Sequence, residues 1–185
     1  MRAPYRAYCA DMNTRPRTQI PFQWPDPPFN IVLVEPDIPQ NTGNIARLCA
    51  ATGTVLNLVE PLGFQLTDKL VKRAGLDYWD AVTVNRFPNL GKFQENFSKV
   101  RKIWFSTNGS KSYTEAEYQP GDCLIFGSES KGLPLELLET NKEDVYNIPI
   151  QLDHVRSLNL ANATSIVLYE ALRQINTASE NPPAE

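Results

Sequence analysis

The sequence has little of what marks several large classes of protein. Its 185 residues include three widely spaced cysteines, Cys9, Cys49 and Cys123, and no CxxC pair, so neither a disulfide framework nor a metal site is expected. No apolar run approaches the ~20 residues that cross a bilayer. The formal net charge of −3 argues against indiscriminate nucleic-acid binding, although a local basic patch is possible. These absences favour a globular protein of a reducing cytoplasm.

Composition indicates one domain, at residues 30–175. Residues 1–29 differ from it, because they contain six of the fifteen prolines and four arginines without a sustained hydrophobic period. We interpret them as an extended, flexible arm, and residues 176–185 as a polar tail. The arginines leave open an organelle transit peptide, against which Asp11, Asp26 and the prolines count.

Between the two ends, apolar strand-like segments alternate with helix-like ones. Such alternation predicts an α/β fold, a parallel sheet flanked by helices. The predicted strands are residues 31–34, 55–59, 81–84, 103–106, 123–126 and 145–148, and the predicted helices are 42–51, 67–74, 90–100, 134–140 and 157–175.

Three segments, which we call corners, have Gly, Asn or Ser at the junction between one predicted element and the next. They are residues 41–47, 126–134 and 157–163. Open α/β sheets bind ligands where strands end, because backbone N–H groups and short polar side chains converge there. Three such corners in one small domain predict a single composite pocket.

The first corner begins a helix whose apolar stripe leaves Asn44 and Arg47 on another side. Asn41 and Thr42 are suitable N-cap residues. A helix N-terminus with an arginine one turn in can bind a phosphate or polar oxygen. The alternative is a capped helix with an exposed arginine.

The second corner has Gly127 and Gly132 on either side of Ser-Glu-Ser-Lys, and matches neither the Walker loop nor GxGxxG. A tight turn would explain the glycines but not Glu129.

In the third corner, Asn162, Ser165 and Tyr169 fall on one stripe of the last helix, with Ser157 as its predicted N-cap. The alternative is capping plus a satisfied buried amide. His154, just before this helix, is either a general base or a solvated loop residue, and the latter is commoner.

In this order, and together with residues 30–36, 73–78 and 169–171, the three motifs resemble those of the SPOUT methyltransferases, in particular the subgroup that methylates the wobble ribose of tRNA. The resemblance implies an α/β fold with a C-terminal trefoil knot. It also implies S-adenosylmethionine as cofactor, a homodimer with a composite active site, and the anticodon stem-loop of tRNA as partner.

By motif position, the resemblance implies catalytic roles for Arg47, Asn44 and Tyr169. It places the cofactor against Phe105, Thr107, Gly109, Gly127, Glu129, Ile148, Ser157, Leu158 and Asn162. Because a guanidinium stays protonated, we expect Arg47 to stabilise a developing alkoxide or bind a phosphate. Candidate RNA contacts are Lys69, Lys72, Arg73, Lys131 and Arg156, although residues of this kind are more often simply surface charges.

Three other functions stay open at this point. The chain could methylate another tRNA site or ribosomal RNA, or it could be a knotted RNA-binding protein without catalysis. It could also be a generic nucleotide-binding α/β protein, although neither glycine fingerprint is present.

Overall fold

The computed structural model describes residues 20–65, 81–151 and 154–180, with the side chains of 178–180 excepted. Within these ranges one sheet of seven strands has the spatial order β3-β2-β1-β6-β4-β7-β5, and every pair of neighbours is parallel. The strands are β1 (Asn30–Val34), β2 (Val55–Val59), β3 (Val84–Phe87), β4 (Lys102–Phe105), β5 (Lys111–Ser112), β6 (Cys123–Phe126) and β7 (Val145–Asn147).

Helices cover both faces of the sheet. They are α1 (Pro39–Thr52), α2 (Leu90–Asn96), α3 (Leu135–Thr140) and α4 (Leu160–Glu180), with short 3₁₀ helices at Tyr113–Glu115 and Lys142–Asp144. The apolar strands send alternate side chains to opposite faces. Ile31 and Leu33 therefore join the core under α1 and α4, whereas Val32 and Val34 join the core under α2 and α3.

The predicted α/β architecture is confirmed, and five of the six predicted strands agree to within one residue. The strand predicted at 81–84 is wrong, because the edge strand runs over Val84–Phe87, where Val84 pairs with Leu56. An edge strand is paired on one side only and can therefore contain polar residues. Asn85 and Arg86 are such residues, and they interrupt the apolar pattern on which the prediction depends. The two-residue strand β5 was too short to predict.

The helix ends also differ from prediction. α2 stops at Asn96, where the ring of Phe97 stacks on Phe93 at 4.9 Å and Lys102 Nζ binds the carbonyl oxygen of Phe97 at 2.6 Å. α4 continues to Glu180, into the predicted tail. Asn176 Nδ2 donates to the carbonyl oxygen of Leu172 at 3.0 Å, which supports this last part of the helix. The helix predicted at 67–74 lies outside the described residues.

Because all strands run the same way, their carboxyl ends lie along one edge of the sheet. β6, β4 and β7 are neighbours there, and the loops after them are brought together with the start of α1. This edge holds the candidate site.

Candidate functional site

A cavity of about 880 Å³ opens at the carboxyl ends of β4, β6 and β7. This volume is in the range of small-molecule and cofactor sites. The rings of Phe105 and Phe126 stack within its wall with centroids 4.9 Å apart. The remaining lining mixes main-chain turns with small polar side chains, so the cavity offers an apolar surface beside convergent hydrogen-bonding groups.

Asn41 joins the three sequence corners through its side-chain amide. Its Nδ2 donates to Glu129 Oε1 at 2.7 Å, and its Oδ1 accepts from Asn159 Nδ2 at 2.9 Å. The partners lie 88 and 118 residues away in the chain. The predicted composite pocket is therefore present, and its three parts are hydrogen-bonded to one another.

The side chain of Glu129 also caps the N-terminal end of α1. Its carboxylate accepts from the backbone N–H of Asp37 at 2.7 Å and from that of Ile38 at 3.3 Å. A carboxylate at a helix N-terminus satisfies otherwise unpaired N–H groups and interacts favourably with the helix dipole. The N-cap residue itself, Ile38, provides no side-chain cap. The prediction that Asn41 or Thr42 caps this helix was wrong, because the helix begins earlier, at Pro39, and both side chains are buried inside it.

The carboxylate of Asp37 makes the reciprocal contact, from the loop before α1 to the loop after β6. Asp37 Oδ2 accepts from the backbone N–H of Ser130 at 3.2 Å and also from the Ser130 hydroxyl. The Ser130 hydroxyl is the main cause that holds the pKa of Asp37 below its usual range. The loop before α1 and the loop after β6 thus each contribute a carboxylate that is hydrogen-bonded by the other loop. These reciprocal contacts fix the 128–132 loop at the cavity mouth.

Two glycines allow close approach of main chain beside the cavity. A Cβ on Gly127 would lie 2.1 Å from the carbonyl carbon of Gly132, and one on Gly109 would lie 2.6 Å from that of Tyr146. Real Cβ atoms do not approach so closely, so glycine is required at both positions for steric reasons.

Most of the predicted cofactor residues line this cavity. They are Phe105, Thr107, Gly127, Glu129, Ile148, Ser157 and Leu158. Gly109 is not among the lining residues but directly follows one, Asn108, in a turn where its N–H donates to the carbonyl oxygen of Ser106 at 3.1 Å. Asn162 is exposed on α4, and its backbone N–H donates to Asn159 Oδ1 at 3.4 Å.

The predicted N-cap of the last helix was wrong. α4 begins at Leu160, and Asn159 Oδ1 accepts from the backbone N–H of Ala161 at 2.9 Å. Asn is as good a cap as Ser, and here it has the additional partner Asn41. Ser157 is left in the loop, where it lines the cavity.

The predicted catalytic residues form a different group. Asn44 and Arg47 are exposed on α1, and Tyr169 is 54% exposed on α4, which packs against α1. None of the three lines the cavity. Ile166, one turn before Tyr169, is also exposed, at 38%. The apolar stripe that the sequence predicts on this helix consists of Ile45, Leu48 and Cys49, and it packs into the core.

The basic residues separate into two kinds. Lys131 and Arg156 are exposed at the cavity and can reach an anionic ligand. Arg101 instead binds the buried carboxylate of Asp122, with 3.0 Å between Nε and Oδ1, and so has a structural role. Lys69, Lys72 and Arg73 lie outside the described residues.

Other chemistry has less support. His154 is exposed in the loop before α4, as the solvated alternative predicts. In the described ranges no three His, Cys, Asp or Glu side chains form a metal-binding group. None of the helices in the described parts of the chain is long and apolar enough to span a membrane.

Sequence reasoning missed the roles of Asn41 and Asp37 as links between loops. Asn41 was assigned only a local capping role and Asp37 no role, since their partners lie about 90 or more residues away. The usable signal was Glu129, which a tight turn could not explain.

Comparisons with known proteins agree on one family. The model of the SpoU rRNA Methylase family matches residues 28–169. The tRNA (cytidine(34)-2'-O)-methyltransferase of Saccharophagus degradans is 48% identical over 151 residues, which are 81% of this chain and 97% of that protein.

Solved structures extend the comparison. One that gives structural insights into the 2-OH methylation of C/U34 on tRNA has a TM-score of 0.75 and 44% identity, over 80% of this chain and 97% of that one. The AdoMet-bound rRNA methyltransferase of Sinorhizobium meliloti has a TM-score of 0.67 and 29% identity, over 80% of this chain and 56% of that one. With the family model matching well over half of its length, this chain belongs to the SpoU rRNA methylase family of methyltransferases.

Proposed function

We propose that this chain transfers a methyl group from S-adenosylmethionine to the ribose 2′-hydroxyl of nucleotide 34, the wobble position, of tRNA. The observation that carries the proposal is the cavity in which Asn41 joins all three methyltransferase motifs. The near full-length similarity to a tRNA (cytidine(34)-2'-O)-methyltransferase supports tRNA over ribosomal RNA as the substrate.

The cavity suits S-adenosylmethionine in size and in chemistry. The stacked rings of Phe105 and Phe126 provide apolar surface, and the turns at Gly127, Ile148 and Leu158 provide main-chain hydrogen-bonding groups. A related rRNA methyltransferase of 29% identity has AdoMet bound. We assign Phe105, Thr107, Gly127, Ile148, Ser157 and Leu158 to direct contact. Gly109 and Glu129 shape the cavity, whereas Asn162, exposed on α4, is not among its lining residues.

The cofactor supplies an electrophilic methyl group on a sulfonium, whose departure as a neutral thioether needs no acid. The protein must place the 2′-hydroxyl in line with that methyl group and stabilise negative charge as its proton leaves. Positioning of this kind contributes several kcal/mol to catalysis. Arg47 carries a permanent positive charge, so it stabilises the developing alkoxide or binds the adjacent phosphate. Asn44, on the same helix face, and Tyr169 orient the ribose.

The catalytic group lies outside the cavity, on the α1–α4 face, and this separation supports a composite site in a homodimer. Ile166 and Tyr169 give that face exposed apolar area of the kind that subunit contacts cover. In an isologous dimer one protomer's α1–α4 face would lie beside its partner's cavity. Lys131 and Arg156, at the cavity mouth, would then contact phosphates of the anticodon stem-loop.

The test is methyl transfer from radiolabelled S-adenosylmethionine to unmodified tRNA transcripts, with the labelled nucleotide mapped. We expect label on the ribose of nucleotide 34. Label at another ribose would contradict the substrate site but keep the reaction. Cofactor binding without label on any RNA would favour the non-catalytic RNA-binding alternative.

A further inference from the structure

The segment before β1 is attached to the far end of α4. The backbone N–H of Gln23 donates to Asn176 Oδ1 at 2.9 Å, and Asn176 Nδ2 donates back to the Gln23 carbonyl oxygen at 3.1 Å. This pair joins residues 153 positions apart and holds an extended main chain in one orientation. The segment therefore has a defined surface.

That surface displays aromatic rings to solvent. Phe22 is 36% exposed and Trp24 is 50% exposed, and their ring centroids are 4.6 Å apart with the planes tilted by 51°. Residues 22 and 24 share one side of an extended chain, since side chains alternate there. Large exposed aromatic groups on an ordered segment mark an interaction surface.

This surface is separate from the cavity. Asn176 lies 16 residues after Leu160, so about 24 Å of helix separates the attachment point from the cavity end of α4. The aromatic pair also precedes the family model, which begins at residue 28. Neither the proposed cofactor site nor the proposed catalytic group uses it.

We propose that Phe22 and Trp24 form a stacking surface for unpaired bases of the RNA substrate, an inference that rests on the proposed function. Aromatic rings stack on any base, because every base has a π face, and sequence-tolerant RNA contacts use such rings beside basic residues. Charge favours RNA here. Residues 1–29 contain four arginines and two aspartates, whereas the whole chain has a net charge of −3. A second protein chain is the other possible occupant of an exposed aromatic pair, and the test below distinguishes it.

The test compares the dissociation constant for full-length tRNA transcript among four proteins: the unsubstituted chain, the double variant F22A/W24A, W24F, and I20A. Ile20 is the matched control, because it is 82% exposed in the same segment but has no ring. We expect the double variant to bind tRNA about tenfold or more weakly, as loss of base stacking predicts. We expect W24F to keep most of the affinity and I20A to keep all of it. Cofactor affinity and kcat at saturating tRNA stay unchanged, because the cavity is untouched.

Each other outcome has a definite meaning. Equal tRNA affinity in the double variant overturns the inference. If I20A weakens tRNA binding as much as the double variant does, the inference is overturned, because the rings then have no special role. A change in oligomeric mass in the double variant overturns it in favour of protein docking. Normal tRNA binding without methyl transfer overturns the proposed function alone. No tRNA binding by the unsubstituted chain overturns both.

Discussion

The side-chain amide of Asn159 donates a 2.9 Å hydrogen bond to Oδ1 of Asn41, and so connects the N-terminus of α4 to the first turn of α1. The other atom of the Asn41 amide, Nδ2, is committed to Glu129. Asn41 is 4% exposed, so water cannot readily replace either partner. This one amide therefore contributes both to the stability of the fold and to the shape of the cavity.

Replacement of Asn41 by alanine should lower both stability and cofactor affinity. It removes the hydrogen bonds to Glu129 and Asn159, which together contribute about 1–3 kcal/mol to the free energy of unfolding. N41D should be worse, because it places a carboxylate beside that of Glu129. The measurements are denaturant unfolding and calorimetric titration with S-adenosylmethionine. Gln40→Ala, on the exposed side of the same helix, is the control and should change neither. An unchanged N41A protein would show that the chain of three side chains is unimportant.

Arg47→Ala should reduce methyl transfer without loss of cofactor binding, because Arg47 does not line the cavity. Removal of a charged group that stabilises a developing oxyanion costs on the order of 10²–10³ in rate. Arg47→Lys should recover only part of the rate, since an ammonium lacks the planar fork of a guanidinium. Single-turnover transfer and calorimetric titration measure the two quantities. Loss of cofactor affinity in R47A would assign Arg47 to the cofactor site instead.

Asp37→Asn should destabilise the fold in a pH-dependent way. The pKa of Asp37 lies below its usual 3.8, mainly because the Ser130 hydroxyl donates to its carboxylate. A carboxyl with a lowered pKa stabilises the folded chain above its unfolded-state pKa, and this contribution is lost as the pH falls through the folded value. The difference in unfolding free energy between the unsubstituted and D37N proteins should therefore be constant from about pH 5 to pH 8 and should close in stronger acid.

Unfolding curves at several pH values test this, with Asp26→Asn as the control on an exposed carboxylate. A difference that grows towards acid would have the wrong sign for the role given to Asp37.

Gly127→Ala should disrupt the 128–132 loop. The added Cβ would lie 2.1 Å from main chain at Gly132, and backbone cannot move aside as a flexible side chain can. We expect a loss of about 2 kcal/mol or more in unfolding free energy, together with weaker cofactor binding. Gly91→Ala, in a helix and with no neighbour closer than 3.4 Å, is the control and should be neutral or slightly stabilising. Thermal unfolding with and without cofactor measures both effects.

The two core thiols should be inert in the folded protein. Burial raises the pKa of Cys49 and of Cys123 to about 12. Only the thiolate reacts, and little of it is present near neutral pH. In a Cys9→Ser variant, an aromatic disulfide reagent should therefore release no colour until denaturant is added, and then two equivalents. Fast reaction of the native variant would contradict the packing described around α1 and β6.

The sequence was sufficient for the architecture because the strands are apolar on both faces and short polar corners separate them. It was less informative at β3, where an edge position admits Asn85 and Arg86, and at the ends of α2 and α4. In these places side-chain contacts, and not periodicity, determine where the element stops.

Some features of the candidate site could likewise be predicted from the sequence and others could not. The order of the motifs along the sequence was enough to predict that residues of the three corners line one cavity. It could not show that Asn41 is an internal link or that Asn159, and not Ser157, caps α4, because both facts depend on partners far away in the chain. The knot, the dimer and the RNA contacts at Lys69, Lys72 and Arg73 stay predictions.

The wide separation of Glu129, Asn41 and Asn159 along the chain has a consequence for synthesis. Contacts of long sequence separation form slowly, because a long loop must be closed before they contribute, and they need both partners to have been synthesised. A nascent chain thus has no complete cavity until α4, at residues 160–180, has left the ribosome and docked on α1. Capture of the cofactor would then act as a report that the whole domain has folded, and truncated or stalled chains would not compete for it.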